Sequence, residues 1–280
     1  MTDVPEASAA DHLCWVYDDD AAFDVAVRQF LAGGLARGER LLCVGERVID
    51  SVRAGASPAG GVESLVAAGR LDMLTVAQAY AATGRFSPER QLTFYDEATR
   101  RAVDDGYRGL RVIAEVTPLA EDPDSRADLI RWEQQADEYV AHGPGMSAMC
   151  AYRGNLPEDV LNEIAMAHPL VRAARGVPPF RVFFDAGCLA LAGNVDTFAA
   201  DRLAALLASV PVEGPVVTLD LTFLDFVDVA GCRVLARWAR GLRTRSIALE
   251  LRAAPRMAER MWQLLGFAEL APVTFVGAGT

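Results

Sequence analysis

The chain has 280 residues, 52% of them hydrophobic and 23% charged, with a formal net charge of −11. That is length for two domains with separate cores, or for one large one. An acidic chain repels phosphate backbones, no apolar run reaches the ~18 residues of a membrane helix, and the N-terminus lacks the basic start and apolar core of a secretion signal.

Residues 1–10 read as a flexible N-terminus. A first domain is expected over 11–172. In it Phe23, Ala26, Val27, Phe30 and Leu31 recur at helical spacing, with Gly38 as a stop signal. Leu41 to Val44 reads as a buried strand, Gly55 to Gly61 as a loop and Leu71 to Val76 as a strand. Ser87 and Pro88 have the form of an N-cap and first helical position. Leu92, Tyr95, Thr99, Ala102 and Val103 then share one helical face. Leu110 to Val116 reads as a strand, buried apart from Arg111 and Glu115. Leu129, Trp132, Ala136 and Val140 mark another helix, whose acids Glu133, Asp137 and Glu138 are expected on a solvated face. Ser147 to Tyr152 is a further strand. Pro157 opens a helix with Val160, Leu161, Ile164, Ala165 and His168 on one side, ended by Pro169. Repeated βα units imply a mainly parallel sheet covered by helices.

Residues 173–179 hold paired prolines and read as a linker. Residues 180–280 form a second, smaller α/β domain of ββαβαβα order. Val182 to Phe184 and Leu189 to Leu191 suggest a hairpin. Ala199, Leu203, Leu206, Leu207 and Val210 make a helix face, and Val216 to Leu221 a strand. A helix then turns Cys232, Leu235, Ala236, Ala239 and Leu242 inward. Ile247 to Leu251 is a strand, and Pro255 to Leu265 a helix stopped by Gly266.

The second domain resembles the STAS family of anti-sigma-factor antagonists. Four motifs in order carry the resemblance: Leu191 to Asp196 (LAGNVD), Val217 to Thr222 (VTLDLT), Phe226 to Gly231 (FVDVAG) and Met261 to Phe267 (MWQLLGF). It implies a docking fold whose partner is an anti-sigma-factor kinase or another signalling protein. The residue after Asp228 is, in that family, a Ser or Thr phosphorylated by the kinase. Here it is Val229, so the docking fold is expected without the phospho-switch. Asp220, Thr222, Asp228, Val229, Gly231, Arg233 and Arg237 are the docking candidates. Thr222 is a substitute phosphate acceptor only if it does more than finish a strand. Arg233, Arg237, Arg240 and Arg243 lie on one helix face, read first as a solvated stripe. No aromatics interleave with that stripe, so nucleic acid is not the expected partner.

The first domain resembles the MEDS family, sensory domains of the type found in a regulator of dichloromethane metabolism. Asp11 to Tyr17 (DHLCWVY), Gly38 to Cys43 (GERLLC), Cys150 to Tyr152 (CAY) and His168-Pro169 carry it. The resemblance implies a RecA/KaiC-like parallel-sheet fold without a working phosphate loop, sensing a small molecule. The candidate pocket is His12, Cys14, Tyr17, Glu115, Cys150 and His168. Glu115, on a buried strand, must pair with an arginine such as Arg111 or meet a ligand. Two His and two Cys could hold zinc if they met tetrahedrally. Their spacing matches no local zinc motif, so no metal and no cofactor are expected.

Chemistry of several kinds is disfavoured. All 27 basic residues are arginine, which removes Schiff-base catalysis and the phosphate-loop lysine. The five cysteines form no CxxC pair, against a disulfide framework or zinc ribbon. There is no GxSxG elbow, and no local motif supports a Cys–His pair. The sequence therefore reads as a cytoplasmic signalling regulator, not an enzyme, with neither membrane nor nucleic acid as direct partner. A STAS-based scaffold, including a homo-oligomer, and a degenerate RecA-like nucleotide binder or enzyme are the alternatives.

Overall fold

A computed structural model describes residues 12–55, 61–80, 86–173, 177–185 and 187–277. The expected flexible N-terminus, most of the loop at 55–61 and residues 174–176 of the expected linker lie outside the described residues. The chain divides into two compact units. One comprises 1–164 and 170–177, the other 165–169 and 178–280.

The first unit runs β1 (His12–Tyr17), α1 (Asp20–Arg37), β2 (Arg40–Val44), α2 (Glu46–Ala54), α3 (Val62–Ala67), β3 (Leu71–Leu74), α4 (Val76–Tyr80), α5 (Pro88–Asp104), β4 (Leu110–Glu115), α6 (Thr117–Glu121), α7 (Pro123–His142), β5 (Met146–Arg153), α8 (Glu158–Ala165) and β6 (Leu170–Arg172). The six strands form one sheet in the order β3-β2-β4-β5-β1-β6. Every pair is parallel, as repeated βα crossovers require. Gly38 ends α1 in the left-handed conformation, its N–H bonded to the Gly34 and Leu35 carbonyls, a place suited to glycine.

Successive side chains of a strand point to opposite faces. One face of this sheet carries Leu13, Trp15 and Tyr17 of β1, Leu41 and Cys43 of β2, Ile113 of β4 and Met149 and Ala151 of β5. It closes on Phe23, Ala26, Val27 and Phe30 of α1 and Val48 and Val52 of α2 in an apolar core. The other face carries His12, Cys14, Cys150 and Tyr152, with Cys14 beside Cys150 in register, and meets α7.

Several expectations need correction. Arg111 and Glu115 are buried, not exposed. The Arg111 guanidinium stacks 3.8 Å from the Phe30 ring centroid, donates to the Phe30 carbonyl at 3.0 Å and lies 3.5 Å from Glu39. Glu133 and Asp137 are buried as well, because both turn toward a histidine on the sheet. Val103 is exposed. The strand at Leu71 stops at Leu74, where the Thr75 hydroxyl accepts from the Gln78 N–H and starts α4. The helix expected to reach His168 ends at Ala165, and β6 follows where no strand was expected.

The second unit contains β7 (Phe180–Asp185), β8 (Cys188–Val195), α9 (Ala200–Ser209), β9 (Val216–Asp220), β10 (Leu224–Val227), α10 (Val229–Thr244), β11 (Ala248–Arg252), α11 (Arg256–Leu264), α12 (Phe267–Leu270) and β12 (Thr274–Val276). β7 and β8 form the expected antiparallel hairpin. The sheet continues β10-β8-β9-β11-β12 with parallel pairings, so it is mixed. β10 and β12 had not been expected. β10 lies inside the stretch read as a turn into a helix. Leu203, Leu206 and Leu207 of α9 and Cys232, Leu235, Ala236, Ala239 and Leu242 of α10 are buried, as their spacing implied.

Among the described residues, no helix is long and apolar enough to cross a membrane.

Candidate functional site

The sheet separates the predicted pocket residues. His12, Cys14 and Cys150 sit on the α7 face, and Tyr17 and Glu115 on the opposite one. His168 is fully buried and falls in the 165–169 stretch that groups with the second unit.

On the α7 face, His12 is the centre of a buried polar cluster. Its Nδ1 lies 3.3 Å from Asp137 Oδ1 and its Nε2 3.2 Å from Glu133 Oε2. Glu133 and Asp137 are four residues apart on α7, the spacing that stacks two side chains on one helix face. Cys150 Sγ lies 3.5 Å from His12 Nε2 and 3.4 Å from Glu133 Oε2. The Tyr152 hydroxyl donates to the second Glu133 oxygen. Burial works to lower the His12 pKa, but the hydrogen bonds to Asp137 and Glu133 outweigh it and raise it to about 9. Burial and the nearby Glu133 carboxylate push the Cys14 and Cys150 thiols up. That is the reverse of an activated nucleophile, which needs its thiolate stabilised. Tyr95 stacks on Trp132 at 5.1 Å between centroids, and its hydroxyl lies 3.2 Å from that of Tyr80.

Glu133 and Asp137 were missed as site residues. An acidic residue on an amphipathic helix is usually solvated. The available signal was a histidine starting an apolar strand, since a buried imidazole between ionised groups needs partners.

On the opposite face, Glu115 ends β4. It accepts from the Tyr17 hydroxyl at 3.1 Å and from the Thr117 hydroxyl. Arg111, offered as its partner, pairs with Glu39 instead. Burial raises the Glu115 pKa, and the two hydroxyl bonds and the Arg153 charge offset part of the rise. Tyr17 and Glu115 stand at the carboxyl ends of parallel strands, where open α/β sheets hold their ligands. A hollow of about 480 Å³ in the same unit is lined by Glu46, Asp50, Arg53, Asp72, Thr75 and Gln78 among others, and none of the six predicted pocket residues lines it.

In the second unit, Asp228 caps α10. Its carboxylate accepts from the Gly231 N–H at 2.9 Å and from the Thr197 hydroxyl at 2.7 Å. Burial acts to raise its pKa, but these bonds win and lower it. Gly231 is required by packing: a Cβ there would lie 2.7 Å from Val227 Cγ2 and 2.9 Å from Val195 Cγ1. Thr222 closes a turn, its N–H and hydroxyl both donating to Asp220 Oδ1 at 2.8 and 2.6 Å. Arg233, Arg237, Arg240 and Arg243 are exposed along α10.

Large apolar side chains are exposed on the segments that lead into α10. Phe198, Phe223, Phe226 and Val229 are 90%, 50%, 51% and 39% exposed. Thr197 ties the Phe198 turn to Asp228. Phe226 pairs with Asn194 in register, and the Gly193 N–H donates to the Phe223 carbonyl at 2.9 Å. The sequence motif names the Asp228 turn but not these exposed aromatics.

Two family models match the chain. One, described as the methanogen/methylotroph DcmR sensory domain, MEDS, covers residues 11–169. The other, described as the Mlab STAS domain, covers 182–273. No curated protein matches. Among solved structures, a DUF1998 helicase MrfA bound to DNA overlaps at a TM-score of 0.28 and 12% identity, over 96% of this chain and 40% of the helicase. The same helicase bound to DNA and AMPPNP gives 0.29 and 11%, over 96% and 39%. The chain thus spans about two-fifths of the helicase, and so weak an overlap carries no argument.

Proposed function

The chain belongs to the MEDS family and carries a STAS domain behind it, and from that premise we propose that it is a cytoplasmic signalling regulator of the anti-sigma-factor-antagonist kind. In this reading the MEDS unit senses a small molecule. The STAS unit docks a protein partner, an anti-sigma-factor kinase, at the rim of α10.

The observation that carries the docking reading is the exposed set Phe198, Phe226 and Val229 beside the Asp228 cap, with Phe223 exposed at the other end of β10. Aromatic residues clustered on a surface supply the anchors of protein interfaces. The exposed arginines of α10 flank them and suit an acidic partner. Val229 cannot take phosphate, so docking is set by what the sensor unit binds and not by a kinase switch. Allostery is the right word only if ligand changes partner affinity.

A non-enzymatic role agrees with thiols whose pKa is raised, and with the absence of lysine. Iodoacetamide labelling of Cys14 or Cys150 faster than of the partly exposed Cys188 would contradict it. The net charge of −11 disfavours nucleic acid.

Affinity capture with the tagged full chain from its native lysate, read by mass spectrometry, tests the docking reading. The expected result is recovery of an anti-sigma-factor-type ATPase. Phe226→Asp and Val229→Glu should weaken that capture roughly thirtyfold or more, the weight of a central interface anchor. Recovery of only the chain itself or of other STAS proteins would overturn the antagonist reading in favour of an assembly module.

A further inference from the structure

We propose that the first unit binds one divalent cation of the zinc class through His12 Nε2, Glu133 Oε2 and Cys150 Sγ. No family match assigns this site, and its three donors all belong to the first unit.

The distances carry the argument. Zinc bonds of about 2.0 to 2.3 Å at the tetrahedral angle set neighbouring donors roughly 3.3 to 3.7 Å apart. The three pairs here are 3.2, 3.4 and 3.5 Å, and the donor atoms all lie within 4.8 Å of one another. These separations, which are also those of the hydrogen bonds that join the three groups, leave an ion little rearrangement to make. Nitrogen, oxygen and sulfur together are a donor set that zinc accepts and that magnesium or calcium does not favour.

The surroundings point the same way. A metal-bound imidazole usually bonds a carboxylate through its other nitrogen, which fixes tautomer and ring orientation. Asp137 stands at His12 Nδ1 in that position. The Tyr152 hydroxyl holds the second Glu133 oxygen and leaves Oε2 turned toward His12 and Cys150. Two ligands come from neighbouring strands β1 and β5 and the third from α7, so the site rests on rigid elements.

Cobalt(II) is the probe. The full-length chain, reduced and freed of metal, is titrated with cobalt, and folding is followed by circular dichroism. The expected result is about one cobalt per chain, with a thiolate-to-cobalt absorption in the near ultraviolet that zinc displaces. Cys150→Ser should remove that band and Cys188→Ser should keep it. Asp137→Asn should keep the band and weaken cobalt binding about 10- to 100-fold, as loss of a carboxylate behind a ligand histidine does. Absence of the band in the folded wild-type chain would overturn the proposal whatever the variants do. So would its survival in Cys150→Ser.

Discussion

His12 shows at the residue scale how one side chain reorganises the reading of a helix. Its ring is fully buried between two carboxylates, and its pKa is raised from 6.5 to about 9. Because the folded value lies above the ordinary one, folding favours the protonated ring. The stabilisation is complete below about pH 6.5 and is lost as pH rises through about 9. Its size is on the order of 3 kcal/mol at one pKa unit per 1.4 kcal/mol. In the metal-free chain, urea denaturation should give a difference in stability between wild type and His12→Gln that shrinks by that order from near-neutral to alkaline pH. A difference that stays level would mean the ring is neutral in the fold. None of this was legible in the composition of α7, where Glu133 and Asp137 look like any solvated acids. What was legible was His12, Cys14 and Cys150 as polar residues on core strands. Two residues on adjacent strands met because strand neighbours in register share a face. Tyr17 and Glu115 failed to join them for the same reason, being of opposite parity.

Short elements are where sequence and structure part at the scale of the element. β6, β10 and β12 have three, four and three residues, too few for a period-2 pattern to show. β10 was hidden by the motif that contains it, since Phe226 to Gly231 was read whole as a turn. The buried faces of the long helices α1, α5, α7, α9 and α10 were found, the nine-residue α2 was not, and the hairpin of β7 and β8 was found but drawn short. α10 is the element that the docking reading depends on, and its start is built from two features. Asp228→Ala should cost about 1 kcal/mol for the lost cap, while Asp228→Asn should cost little, since asparagine caps as well. Gly231→Ala gains up to ~1 kcal/mol of helix propensity. The clash with Val227 and Val195 should outweigh that gain, since overpacking costs about 1 to 3 kcal/mol. Hydrogen-exchange mass spectrometry of the 229–244 peptides should show faster exchange in Asp228→Ala and Gly231→Ala and near-native exchange in Asp228→Asn. Unchanged protection in Gly231→Ala would mean that β8 and β10 yield without strain.

At the scale of the whole molecule, the α/β class, the parallel first sheet and the order of the two families were all readable from the chain. Each rests on many weak signals that agree, such as βα alternation over 11–172 and four ordered motifs over 180–280. The path of the chain between units was not readable, because it depends on a few backbone bonds. The Val182 N–H donates to the Met166 carbonyl at 2.8 Å, and the Arg181 guanidinium donates to the Pro169 carbonyl. Both acceptors lie in the 165–169 stretch that groups with the second unit. A fragment starting at Pro178 discards that stretch, leaves the Val182 N–H without its carbonyl, and frees an arginine that stacks on Phe183 at 5.4 Å. Each lost hydrogen bond is worth about 0.5 to 1.5 kcal/mol. A fragment of residues 165–280 should therefore resist urea better than one of 178–280, by roughly 1 to 3 kcal/mol in denaturation followed by circular dichroism. Equal midpoints would mean that Pro178 is the true start of the second folding unit, and that the 165–169 stretch adds nothing to its stability.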